Sequence, residues 1–282
     1  MLDIALTVFT KPWTESLDQL ADKVASLGLD GAELPIRPGY QVQPQDVTKT
    51  LPIAVRTFKS RGLEIRSAAA PLEAGVIRAC GEAGIPIVRT MVGIDLGKLG
   101  YAETIAAHRR LWDHLIPVLD ETGVTIGVQN HSGNNVGSAI GLYHLIEKYD
   151  PRHVCAILDM AHAAIAGEPT ELAVDLLWPR MRGLINFKAA FRERVNGPEE
   201  IEAEYRTHWT TAPHAAYSWR GLVAEVARRG FRGTFCLPAE YTDLAGAPQR
   251  LGDDVLPYLR GDIAYLRRLL PAQALKPSGK EA

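Results

Sequence analysis

Gly127-Val128-Gln129-Asn130-His131-Ser132-Gly133 and Ile157-Leu158-Asp159-Met160-Ala161-His162 decide how this chain is read. Each is a short apolar run that breaks into a polar cluster. A buried parallel strand has this form when it delivers functional groups at its C-terminal end. Residues two apart on a strand share a side, so Gln129 and His131 face one cleft if the strand persists that far. Asp159 closes the apolar run 154–158. A carboxylate there holds a cation, accepts from a substrate hydroxyl, or caps the next loop. His162 follows three residues later among alanines. Beside Asp159 it either touches ligand or is a hydrogen-bonded structural residue.

Outward from these two stretches, strand-like and helix-like segments alternate along the chain. Strands are predicted at 4–9, 31–34, 63–67, 86–91, 124–128, 154–158, 184–187 and 234–237. The first helix is predicted from a Thr14 cap, with Leu17, Leu20, Ala21, Val24 and Leu27 on the 3.6-residue period and Gly28 as its stop. Further helices are predicted at 46–60, 71–83, 103–121, 136–149, 170–177, 219–229 and 254–270. Eight such units predict a single (β/α)8 TIM barrel over residues 1–270, with a frayed tail at 271–282. A doubly wound open sheet usually has fewer strands and a Gly-rich phosphate turn, and no such motif is present. The stretch 189–217 reads as long and irregular, a lid or pocket wall packed through His208 and Trp209.

The 282 residues suit one α/β barrel. Acidic and basic residues nearly cancel, at a formal charge of −2. That excludes non-specific attraction to nucleic acid or to an anionic membrane. No apolar stretch approaches the ~20 residues of a membrane span, and Met1-Leu2-Asp3-Ile4 does not read as a signal peptide. The cysteines, Cys80, Cys155 and Cys236, are odd in number and apolar in setting. They read as buried small hydrophobes in a reducing cytoplasm rather than a disulfide framework. The expected partner is a small molecule, and a homo-oligomer stays open.

Strand ends on the catalytic face of such a barrel collect Glu33, Arg66, Arg89, Gln129, Asn130, His131, Asp159, His162, Asn186, Lys188 and Glu240. Asn186 and Lys188 point to the same side. Lys188 is a cation for an anionic group, a general acid, or a solvated lysine. Arg192 and Arg194 lie just beyond, where arginine suits a bidentate grip on an anion. Glu33 and Glu240 each read as a general base or as half of a loop ion pair.

With these residues in view, the chain resembles the xylose isomerase-like TIM-barrel superfamily, the sugar phosphate isomerase/epimerase group. The resemblance runs from Gly31-Ala32-Glu33-Leu34 to the last helix. It is carried by the two opening stretches, by Leu184-Ile185-Asn186-Phe187-Lys188 and by Gly230-Phe231-Arg232-Gly233. It implies a divalent ion, commonly Mn2+, Mg2+ or Zn2+, held by Glu, Asp, His and Glu from four strand ends. Position by position, the first Glu is Gln129 here, the Asp is Asp159, the His is Asn186 and the last Glu is Pro238. Glu240 stands two residues later. The family's substrate-contacting His corresponds to His162, its loop arginine to Arg192, and its His-x-Lys-Asp lysine to Lys188, with Ala189 in place of the aspartate. One carboxylate and two amide oxygens hold a hard cation weakly. The expectation is therefore an isomerase, epimerase or lyase on a sugar or keto-sugar derivative, without a tightly bound metal. Glu240, His131 and Lys188 are its expected catalytic residues, and Gln129, Asp159, His162, Asn186 and Arg192 its substrate contacts. The alternative is a non-catalytic carbohydrate-binding protein, or a subunit that supports a catalytic paralogue. A DNA-acting endonuclease is disfavoured by the near-neutral charge.

Overall fold

A computed structural model describes residues 3–242 and 249–271. Its strands are β1 (Asp3–Phe9), β2 (Gly31–Pro35), β3 (Glu64–Ala69), β4 (Ile87–Met91), β5 (Thr125–Gln129), β6 (Val154–Asp159), β7 (Met181–Asn186), β8 (Ala189–Arg194), β9 (Tyr205–Thr210) and β10 (Arg232–Leu237). Eight of them close a parallel barrel in the order β1-β10-β7-β6-β5-β4-β3-β2, while β8 and β9 pair antiparallel on their own. The ring closes through β1 and β10, in register from Asp3↔Arg232 to Val8↔Leu237.

Helices cover the barrel: α1 (Leu17–Ser26), α2 (Val47–Lys59), α3 (Ala74–Glu82), α4 (Gly100–Thr122), α5 (Ala139–Ile146), α6 (Met160–Ile165), α7 (Thr170–Leu177), α8 (Trp219–Arg228) and α9 (Leu256–Leu269). Both faces of a parallel barrel strand are buried, which is why the strands read as continuous apolar runs. The outer faces join the helices in one large core that includes Trp112, Trp219 and Phe58. Inside the ring, Phe9, Ala69, Ile87, Ile157, Leu184 and Cys236 form a separate plug. Ile157 fills this plug only because Gly127 has no side chain: a Cβ there would sit 2.3 Å from Ile157 Cδ1.

The (β/α)8 expectation stands, and several local expectations are corrected. Ser16, not Thr14, caps α1, in a capping box with Gln19 at the third helical position. An extra short helix, α6, follows β6 directly. The stretch 189–217 is not irregular: it holds the β8–β9 hairpin. Cross-strand pairs Ala190↔Trp209, Phe191↔His208 and Glu193↔Arg206 set its register. The charges in Arg192-Glu193-Arg194 hide the strand from a hydrophobicity reading, since that edge faces outward. The predicted tail 271–282 lies, beyond Pro271, outside the described residues. Among the described residues no helix is long and apolar enough to cross a membrane.

Candidate active site

Strand direction gathers the chemistry at the C-terminal mouth. At its floor, Glu33 on β2 accepts from Arg89 Nε on β4 through both carboxylate oxygens, each at 2.8 Å. Ser67 donates to the same carboxylate at 3.1 Å. Of the two readings open for Glu33, the structure takes the ion pair. Arg89 then donates through Nη1 to the Gln129 amide oxygen. Gln129 Nε2 donates in turn to Asp159 Oδ2 at 2.8 Å. An arginine cannot accept and a carboxylate does not donate, so the amide orientation is fixed at both ends.

Asp159 is fully buried at the end of β6. Its other oxygen accepts from Ala161 N, capping α6. Burial raises its carboxyl, and Lys188 only partly offsets this, leaving it at about 6. Asn130 ties the two strand ends together. Its amide oxygen accepts from Asp159 N, and its amide nitrogen donates to Asp159 O and Gly137 O. Its role is therefore structural.

Two histidines, His131 and His162, lie side by side next to this chain, ring centroids 4.0 Å apart and tilted by 37°. Ser132 N donates to His162 Nδ1, so the His162 proton sits on Nε2. That Nε2–H has no hydrogen-bond partner among the described residues and lies 3.7 Å from Asp159 Oδ2. His131 has the opposite tautomer. Its Nδ1 lies 2.8 Å from the Ser132 carbonyl oxygen and must donate to it, which leaves the Nε2 lone pair without a partner among the described residues. Burial first, and Lys188 second, lower the His131 pKa. The ring is neutral at pH 7 and can act as a base.

Across the mouth, Lys188 Nζ donates to Glu240 Oε2 at 2.5 Å and Lys11 Nζ to Glu240 Oε1 at 3.1 Å. Burial pushes the Glu240 carboxyl up, but the two lysines outweigh it and hold it at about 2. The Lys188 ammonium lies 4.0 Å from the centroid of Trp209, which β9 leans over the site. Glu240 reaches the mouth through Ala239, a non-glycine residue at φ 54°. Such backbone costs of order 1–2 kcal/mol and is kept where the surroundings demand it. Here it turns the chain after Pro238 so that a carboxylate two residues late still enters the mouth.

A cavity of about 60 Å3 is lined by Gln129, His131, Asn186, Lys188 and Glu240 together with Phe9, Lys11, Arg37, Arg89, Met91 and Pro238. Five of the eight sequence-derived candidates thus meet at one surface. Asp159 and His162 are fully buried, behind Gln129 and His131. Arg192 is not brought to this cavity: it is exposed on β8, its guanidinium against Tyr205 at 5.0 Å. Arg66 was expected at this face and is not there. Its strand continues to Ala69, so Arg66 sits early on β3, pairs with Glu64 and lines a cavity of about 640 Å3 at the opposite, N-terminal end of the barrel. That larger cavity gathers strand starts, not strand ends, and sites in this fold lie at the C-terminal face. Sequence reading passed over Lys11 and Arg37. Each stands two residues past a strand end, at Phe9 and Pro35, and that spacing was the available signal.

A divalent ion does not fit this donor set. Gln129 turns its amide oxygen to Arg89 and its N–H to Asp159, so it offers an ion nothing. Both Asp159 oxygens already accept hydrogen bonds. The Asn186 amide oxygen is buried without a partner among the described residues, but it is neutral and alone. Hard cations need several charged oxygens. Among the described residues no three His, Cys, Asp or Glu side chains gather as a metal site.

The family model for the xylose isomerase-like TIM barrel matches residues 21–267, and the chain belongs to that family. No curated protein matches it by sequence. Among solved structures it is similar to 3-keto-D-glucoside 4-epimerase from E. coli, at 14% identity and a TM-score of 0.66, covering 95% of this chain and 100% of that one. It is also similar to D-psicose 3-epimerase from Clostridium cellulolyticum H10, at 12% identity and a TM-score of 0.69, covering 95% and 100%. A third is the probable 3-DHS dehydratase involved in petrobactin synthesis from Bacillus anthracis, at 13% identity and a TM-score of 0.64, covering 95% and 99%. At these identities the likeness establishes the fold and not the reaction.

Proposed function

We propose that the protein is an isomerase or epimerase, or a related lyase, acting on a sugar or keto-sugar derivative without a tightly bound divalent metal. The observation that carries this is the pairing, in one mouth cavity, of a neutral His131, its Nε2 lone pair without a partner among the described residues, and the Lys188–Glu240 ion pair. His131 removes a proton from the carbon next to a carbonyl. The Lys188 ammonium stabilises the enolate oxygen that forms, the task a metal performs elsewhere. Glu240, ionised and held by both lysines, keeps Lys188 in place. The proton returns to carbon from the His131 imidazolium in an isomerisation, or from solvent on the opposite face in an epimerisation. The Lys188–Glu240 pair enters from β10 and the loop after β7 while His131 enters from β5, so the cation and the base stand on different sides of the mouth. Acid–base catalysis contributes about 10²–10⁴ and a fixed oxyanion partner about 10²–10³. Together these reach the lower range of enzymatic rate enhancement, about 10⁶. The 3- and 4-epimerases among the structural neighbours support the reaction class. Three buried, free cysteines support the expected cytoplasmic location.

The test is solvent proton exchange into a panel of ketoses in D2O, followed by NMR with and without chelator. Exchange that survives chelator and falls at least about 100-fold in His131→Gln supports the reading. Exchange lost in chelator and restored by Mn2+ defeats its metal-free part. Tight sugar binding with no exchange on any ketose leaves the non-catalytic carbohydrate-binding protein as the function.

A further inference from the structure

The mouth carries more positive charge than its own carboxylates cancel. Lys11, Arg37, Arg89 and Lys188 line it. Among the described residues three carboxylates stand against these four cations: Glu33 on Arg89, Glu240 on Lys188 and Lys11, and Asp159 beneath. The excess among the described residues is one positive charge, and it localises on Arg37. Every other cation of the mouth has a carboxylate within hydrogen-bond distance. Arg37 has none among the described residues; its guanidinium lies 5.7 Å from the Phe9 ring, beside Arg89. Burial, then Arg89, press it toward the neutral form, an energetic cost that a bound anion would relieve.

Its position matters as much as its charge. Arg37 lines the small chamber over His131 and Lys188. It also lines an adjoining cleft of about 400 Å3 formed with Ala70, Pro71, Thr90, Gly93 and Asn135. Arg89 and Met91 border both spaces. A molecule entering through the cleft meets the Arg37 guanidinium before the reacting groups. The cleft lies in the volume range of small-molecule sites.

We propose that the substrate is a monoanionic sugar acid whose carboxylate docks on Arg37 at the junction of the two cavities. The inference rests on the mouth being the ligand site. A guanidinium fork matches a carboxylate in a bidentate grip. One excess positive charge matches one carboxylate and leaves a phosphate dianion over-charged by one. The anion also fixes which end of the sugar faces His131 and Lys188. Arg37 therefore sets binding and register and takes no part in proton transfer.

The test compares matched ligands by calorimetry: D-glucuronate, D-glucose and D-glucose 6-phosphate, then D-fructuronate, D-fructose and D-fructose 6-phosphate. In at least one set the acid binds about tenfold or more tighter than the neutral sugar. The phosphate gains less than the acid. Arg37→Gln removes the preference for the acid, while Arg37→Lys keeps part of it. Arg192→Ala, a loss of the same charge from exposed β8, keeps all of it. Circular dichroism establishes that each variant is folded. No acid preference in either set, a preference for phosphate, or a preference that survives Arg37→Gln overturns the proposal. Proton exchange is read separately. Acid preference without exchange sustains the Arg37 site and sinks the catalytic reading. Exchange on neutral ketoses without acid preference does the reverse.

Discussion

Gln129 donates its amide N–H to the Asp159 carboxylate at 2.8 Å, and Arg89 fixes the amide in that orientation. Gln129 and Asp159, two of the four positions that the family resemblance assigns to metal ligands, are here joined to each other. Purified protein should therefore carry well under one divalent ion per chain by elemental analysis after dialysis against chelator. Added Mn2+ should not raise the melting temperature. A ligand at 100 times its dissociation constant adds about 2.7 kcal/mol of stability, so a site that mattered would be visible. One ion per chain after dialysis defeats this expectation.

The same carboxylate sets a pH-dependent stability. Asp159 goes from 3.8 to about 6 on folding, so the fold disfavours its charged form. Below about pH 4 both states are protonated and nothing is lost. The penalty grows between about pH 4 and 6 and is full above that. Asp159→Asn should then be more stable than the parent near pH 8, by roughly 1–3 kcal/mol, with the gain gone near pH 4. Chemical denaturation at the two pH values measures it. A gain of equal size at both would assign the effect to packing and not to charge.

How much of this was legible in the sequence follows from what each signal measures. Buried parallel strands announce themselves as apolar runs, so the eight-strand ring and the polar cluster at its mouth could be read directly. Hydropathy carries no information on which way a polar side chain finally turns. Gln129 and Asn186 were visible as losses of ligand; that Arg89 and Glu33 complete the chain to Gln129 depends on a bidentate contact between residues 56 apart in sequence. The β8–β9 hairpin was hidden because its exposed face is charged. Arg66 was misplaced by a strand end read two residues early, which sets its side chain roughly 7 Å lower along β3, away from the mouth.

Glu240 is the hinge of the mouth's electrostatics. Glu240→Gln strips Lys188 of its carboxylate while Lys188 stays buried. The loss should be about 2–3 kcal/mol, somewhat below the 3–5 of a fully buried pair, because Glu240 keeps 14% exposure. The pH dependence has a definite sign. A carboxyl held at about 2 against an ordinary 4.5 contributes stability that is present above 4.5 and lost as pH falls toward 2. The gap between parent and variant should narrow over that window. A gap that stays constant down to about pH 2 would show that the pair contributes nothing through charge.

The pH profile of proton exchange tests the His131 assignment most directly. An ordinary histidine is half protonated near 6.5 and loses its action as a base below that. Burial and Lys188 lower the His131 pKa, so its half-protonation point lies below 6.5. The exchange rate should not fall by half near pH 6.5. Asp159 titrates close by, at about 6, and its protonation changes the charge behind Gln129. If the parent shows an acidic limb near pH 6, that limb should vanish in Asp159→Asn while the plateau above it remains. It should persist in His131→Gln on whatever residual rate is left. A limb at about 6.5 that disappears with His131 and survives Asp159→Asn would mean that the histidine is solvated and ordinary. His131 would remain the base, and its lowered pKa would be wrong.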